Sequence, residues 1–142
     1  MNPQKVAVGR KNITFGWFWL LSGLICGAVM SLWSFNGPLL SPLGDYTALP
    51  RRLVRLAHIA FIALAIVNIL YGYSIDNTQL KKKWKNIGSQ SLILGAIFMP
   101  VLLIIAAFYE PIKYFLILPG TLVIIGILII TIGLLRIPKI AQ

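Results

Sequence analysis

Acidic side chains are nearly missing from this chain. Asp45, Asp76 and Glu110 are the only three among 142 residues, against thirteen lysines and arginines. None of the three lies within an apolar run, so the intramembrane acid that proton-coupled carriers generally use is not there. One cysteine, Cys26, excludes an intrachain disulfide. Together with the single histidine, His58, it cannot supply the four ligands of a structural zinc site. The sequence has no P-loop, no HExxH and no assembled Ser/His/Asp set, so a self-sufficient catalytic centre is not expected. Charge of either sign is scarce: 11% of residues, where a soluble domain carries roughly 25%.

What is present is apolar. Hydrophobic residues make up 58% of the chain, and the mean hydropathy is +0.87. A chain of this composition cannot cover its own surface in water, which places it in a membrane. Four stretches reach the roughly 20 residues needed to cross a bilayer. They run over about 13–35, 52–73, 87–109 and 112–135. A spanning backbone must satisfy its own hydrogen bonds, so each is expected to be a helix. The expectation is a single domain, residues 1–142, folded as a compact antiparallel four-helix bundle. The first run is longer than a signal-peptide core and is read as a retained span. Glu110-Pro111-Ile112-Lys113 has room only to reverse the chain between the third and fourth spans.

The basic residues give a direction. Lys5, Arg10 and Lys11, the run Lys81, Lys82, Lys83 and Lys85, and Arg136 with Lys139 fall on one side of a four-span topology. Arg51, Arg52, Arg55 and Lys113 fall on the other. The larger group is expected in the cytoplasm, with both termini. The four lysines around Trp84 are expected to anchor the chain on the anionic inner leaflet of a bacterial inner membrane. Nucleic acid is not expected as a partner. Phe15, Trp17 and Trp19, then Trp33 and Phe35, are placed as aromatic belts at the two ends of the first span.

Packing signals are few. Gly23, Gly27 and Ser31 form a small-residue ladder suited to close helix approach, within the bundle or in self-association. Asn68 lies inside the second span and needs a hydrogen-bond partner on another helix. Pro100 and Pro119 are expected to kink the third and fourth spans, as structural bends in the first place and, as the alternative, as the shapers of a cleft where the two kinks share a depth.

The least conventional feature is the start of the second span. Arg51, Arg55 and His58 fall within about 60° of arc on a helix. Arg52 lies beside them. A helix N-terminus already carries partial positive charge, so three arginines there require an anion. Lipid phosphate is one candidate and an acidic patch on a partner subunit another. Asp45 or Glu110 can neutralise one arginine within the chain. A haem propionate is the fourth candidate, with His58 as axial ligand to haem b. A quinone bonded to His58 is related to it. The expected function is therefore binding, as an accessory or structural subunit of a larger membrane complex. The alternative is a haem- or quinone-binding redox subunit, and a weaker one is a small transporter built around the proline kinks.

Overall fold

A computed structural model describes residues 7–32 and 43–136. Lys5, Trp33, Phe35 and Lys139 lie outside them. The described residues form four α-helices: α1 (Val8–Ser31), α2 (Leu49–Ile75), α3 (Lys82–Phe108) and α4 (Ile117–Leu135). A 3-10 segment, Glu110–Leu116, leads into α4. With that segment counted in the fourth, all four stretches are long and apolar enough to cross a membrane. The protein is an all-α, multi-pass membrane protein.

α1 and α3 begin about five residues earlier than the apolar runs that announce them. The additional turn holds Arg10, Lys11 and Asn12 in α1, and Lys82, Lys83 and Lys85 in α3. Lysine and arginine are good helix formers whose long stems let the charge reach the headgroups, so helix continues where hydropathy falls. The fourth span differs the other way. The α-helix starts at Ile117, not near residue 112. Pro119 has no N–H to give to the carbonyl of residue 115, and the preceding residues wind as 3-10 instead. Pro119 therefore sits in the first turn of α4, where backbone N–H groups have no intrahelical partner in any case. It marks the handover from the 3-10 segment to the α-helix, where the sequence suggested a kink within the helix.

Successive helices are antiparallel. α2 and α3 pack on each other and both touch α1 and α4, while no contact joins α1 to α4 among the described residues. The cross-section is thus two triangles sharing the α2–α3 edge. α3 is the spine: 44% of its most apolar window is buried, against 11% for α1. Tyr71, Ile75, Leu92 and Ile130 form a core cluster where α2, α3 and α4 meet, towards the Ile75 end of α2. A second cluster of Leu43, Val54 and Ala107 seals the other end.

Glycines at seven-residue intervals set the helix spacing, a period that keeps one face towards a partner in left-handed supercoils. On α1 these are Gly9, Gly16 and Gly23, with Gly27 one turn on. A Cβ on Gly9 would lie 2.0 Å from the carbonyl oxygen of Gly72, and one on Gly16 would lie 2.8 Å from that of Ala65. On the other side of the molecule, Gly88 and Gly95 of α3 and Gly126 and Gly133 of α4 repeat the arrangement. Of the predicted ladder, Gly23 and Gly27 face Phe61, Ile62 and His58 of α2. Ser31 is exposed and its hydroxyl donates to the Ala28 carbonyl at 2.6 Å, so the seam runs towards Gly9 and not towards Ser31.

Pro100 lies inside α3, which runs as one α-helix through it. The proline is fully buried, and it leaves the Ala96 carbonyl, four residues back, without its helical donor. The indole Nε1–H of Trp19 on α1 donates to that oxygen at 3.1 Å. The Trp19 ring is packed between Phe15 and Phe61, with centroids 5.3 and 4.7 Å away. Trp19 is about 16 Å along α1 from Val8 by helical rise, so it is a mid-membrane residue and not part of a headgroup belt.

Two outcomes follow for the purified protein in detergent. Gly9→Leu should lower stability by about 1–3 kcal/mol, the usual cost of overpacking, read as a drop in thermal midpoint. Trp19→Phe should cost less in a Pro100→Ala background, by about 0.5–1.5 kcal/mol, because alanine restores the donor to Ala96. Equal costs in both backgrounds would show that the indole is not the replacement donor.

Candidate functional site

The predicted arginine site lies at the end of the bundle where α2 begins. Ala48 precedes α2 and offers no capping side chain. The loop reaches it through Gly44, whose φ of +81° is the left-handed conformation glycine tolerates best. The guanidinium of Arg55 lies 4.1 Å from the centre of the Tyr46 ring, and that of Arg51 lies 5.4 Å from it. Arg55 also donates to the Tyr46 carbonyl at 3.3 Å, and Arg51 donates to the Gly44 carbonyl at 3.4 Å. The aromatic face and the carbonyl oxygens supply part of the negative charge that a helix N-terminus cannot give. Two of the three arginines thus clamp the loop onto α2. Glu110, considered as a counter-ion for this cluster, pairs instead with Lys113 in the 3-10 segment.

Arg52 differs. It is exposed and, with Arg55, stands over an apolar strip of α2 formed by Leu49, Leu53, Leu56 and Ile59. Leu49, Leu56 and Ile59 face outward from the bundle. The strip begins in the first turn of α2 and runs nearly three turns along it, with the guanidinium groups near the helix start. A phosphate at the arginines and an acyl chain along the strip match this layout chemically.

His58 does not belong with the arginines. Its imidazole is inserted in the α1–α2 seam over Gly27, and a Cβ on Gly27 would lie 2.5 Å from His58 Nε2. The glycine and the histidine explain each other: the missing side chain makes room for the ring. Nε2 therefore faces the α1 backbone at Gly27. A porphyrin needs its open face on a ligating nitrogen, so this arrangement does not fit a haem held through Nε2 with Arg51 and Arg55 on its propionates.

The most connected polar group in the membrane interior was not legible as a unit in the sequence. Asn12 of α1 and Asn68 of α2 are fully buried, and Ser89 of α3 nearly so. Asn12 Nδ2 donates to Asn68 Oδ1 at 2.8 Å and, more weakly, to the Ser89 carbonyl at 3.4 Å. The Ser89 hydroxyl donates to Asn12 Oδ1. Asn68 Nδ2 donates to the Leu64 carbonyl of its own helix and reaches the Leu92 carbonyl of α3. Among the described residues no buried side-chain nitrogen or oxygen lacks a hydrogen-bond partner. The node joins three helices about 10 Å along α2 from its Ile75 end. Asn12 was missed because it precedes the apolar run. Its spacing from Gly9 and Gly16 along one helical face is the signal that would have found it.

At the end that carries the start of α1 and the end of α4, two charged residues cap helices. The Asp76 carboxylate accepts the Gly9 N–H at 3.0 Å, at the positive end of α1. Lys85 Nζ donates to the carbonyls of Asp76 and Thr78, at the negative end of α2. Lys85 was expected to anchor the chain on lipid, but it is a capping residue. Lys81, Lys82 and Lys83 are exposed. Pro119 lines an apolar groove with Phe98, Leu102, Phe115 and Leu122. Pro100 does not open onto it, so the two prolines do not shape a shared cleft.

No protein-family model, curated protein or solved structure matches the chain.

The node should behave as one unit. Asn12→Leu and Asn68→Leu should each destabilise the protein, and the double variant should cost less than the sum of the two. A coupling of about 0.6–1.7 kcal/mol is expected in thermal or denaturant unfolding, the range for polar pairs between membrane helices. Simple additivity would contradict the shared network.

Proposed function

We propose that this small multi-pass protein works by binding, as an accessory or structural subunit of a larger membrane complex. Its Arg52–Arg55 strip holds the phosphate of a membrane lipid at the complex's edge. The observation that supports this is the contrast among the three arginines. Arg51 and Arg55 are engaged with Gly44 and Tyr46, whereas Arg52 is exposed beside an apolar strip. A cation with apolar surface running away from it matches a phospholipid more closely than a folded acidic partner, which would bring further polar contacts. The subunit role draws on the broad apolar face of α1, where Trp17, Phe18, Leu21, Leu24 and Ile25 are each more than half exposed. In this reading both termini face the cytoplasm, following the excess of lysine and arginine at that end.

The test is purification of the whole protein in mild detergent, with bound phospholipid and companion proteins measured on the same fraction. Arg52→Gln should lower retained phospholipid about fivefold, the equivalent of roughly 1 kcal/mol per headgroup cation. Tyr46→Leu should loosen the loop without that loss. Unchanged lipid in Arg52→Gln would remove the strip as a lipid site. Loss of a stoichiometric companion in its place would assign the arginine to a protein contact.

A further inference from the structure

A second groove lies at the opposite end of the bundle, where the α2–α3 loop, the start of α3 and the end of α4 converge. Leu80, Ile129 and Ile132 form its walls, with Trp84 and Arg136 at its mouth. Its floor is fixed by close packing. A Cβ on Gly133 would lie 2.9 Å from Leu80, and one on Gly88 would lie 3.1 Å from Ile129. Polarity changes along its length. Arg136 follows the last residue of α4 and Trp84 is the third residue of α3, so both stand at headgroup depth. Ile132 and Ile129 lie about 6 and 10 Å deeper by helical rise.

The charge around the mouth is of one sign. Lys81, Lys82 and Lys83 are exposed directly before Trp84. The first turn of α3 holds no acidic residue, and its N-cap, Lys81, makes no capping bond. The acid at this end, Asp76, has its carboxylate on the Gly9 N–H. Among the described residues, the Arg136 guanidinium at the groove and the exposed lysines before Trp84 thus outnumber the one acid at this end, Asp76, above a groove lined by isoleucine and leucine. An indole at the rim is the usual companion of a headgroup.

We propose that this groove is a specific site for one anionic glycerophospholipid, with its phosphate at Arg136 and the lysine run and one acyl chain against Ile129 and Ile132. It is separate from the Arg52–Arg55 strip, where a single exposed guanidinium takes the phosphate of any phospholipid. Here several cations surround one headgroup, so net negative charge on the lipid is selected.

The test is native mass spectrometry of the delipidated full chain titrated with phosphatidylglycerol or with phosphatidylcholine of identical acyl chains. The wild-type protein should bind the anionic lipid about tenfold more tightly, the equivalent of 1.4 kcal/mol. Arg136→Gln should cut that preference about fivefold. Ile132→Trp, which fills the groove at a position 44% exposed and leaves the charge unchanged, should weaken the anionic lipid to a similar degree. Arg52→Gln, the same change in charge at the far end, should leave the preference unchanged even where it lowers binding of both lipids. That last pair of results separates this site from the strip. Equal affinity for the two lipids would overturn the proposal. So would an equal loss of preference in Arg52→Gln and Arg136→Gln, the mark of diffuse attraction to net charge. Undiminished binding in Ile132→Trp would show that no chain occupies the groove.

Discussion

An amide side chain in hydrocarbon must find its hydrogen-bond partners inside the protein, and the bonding of Asn12, Asn68 and Ser89 meets that requirement for three helices at once. The rest of the α1–α2–α3 triangle is arranged so that these short side chains can meet. Asparagine and serine reach only a few ångströms, so the backbones that carry them must come unusually close. Gly9 and Gly16 on α1, with Ala65 and Gly72 on α2, flank the node and permit that approach. Glycines and polar groups are therefore one device. With larger residues in the seam the amides could not meet, and without the amides the seam would hold by packing alone, which is weak where lipid is as apolar as the side chains.

The same accounting explains Pro100. A proline in the spine of the bundle removes one donor, and the orphaned Ala96 carbonyl faces α1. Trp19 closes that gap from a different helix. Three of the bonds between α1 and α3 thus run from Asn12 or Ser89 at one level and from Trp19 at a level two turns further along. α1, the least buried helix, is held by a glycine face and a small number of directed hydrogen bonds. α4 is attached differently, through interlocking of Gly88, Gly95, Gly126 and Gly133 with Ile129, Val123, Leu92 and Leu80 respectively. The two outer helices share the α2–α3 core and need no contact with each other.

Much of this architecture was legible in the sequence. The number, order and antiparallel course of the helices follow from the lengths of the apolar runs, and Gly23 and Gly27 from their spacing. Direction was not legible. A hydropathy window averages over all faces of a helix, so it placed Asn12 outside the membrane when its face points into the core. Charge counting treated Lys85 and the arginines alike. It could not register that Lys85 folds back onto carbonyls left open by α2, or that a tyrosine in the preceding loop receives two guanidinium groups. Pro119 was taken for a kink because its identity was visible and its position relative to the start of α4 was not. Each miss concerns the partner a side chain finds, and partners are set by a tertiary arrangement that a single sequence does not display.

The two ends of the bundle also solve the problem of charge differently. Where α2 begins, cations are drawn inward: Arg51 and Arg55 lie against Tyr46 and loop carbonyls, so the cluster that looks most anomalous in the sequence is largely engaged by the chain itself. At the opposite end the one acid and one lysine cap helices, while Lys81, Lys82, Lys83 and Arg136 remain exposed at the membrane boundary. Cations left exposed in this way are open to an external counter-ion, whereas the engaged arginines are not. The lysine run that reads as a plain topology signal is therefore the more open electrostatic surface, and the arginine cluster the more closed one. Local charge density alone would rank them in the opposite order, because it omits what each charge already touches.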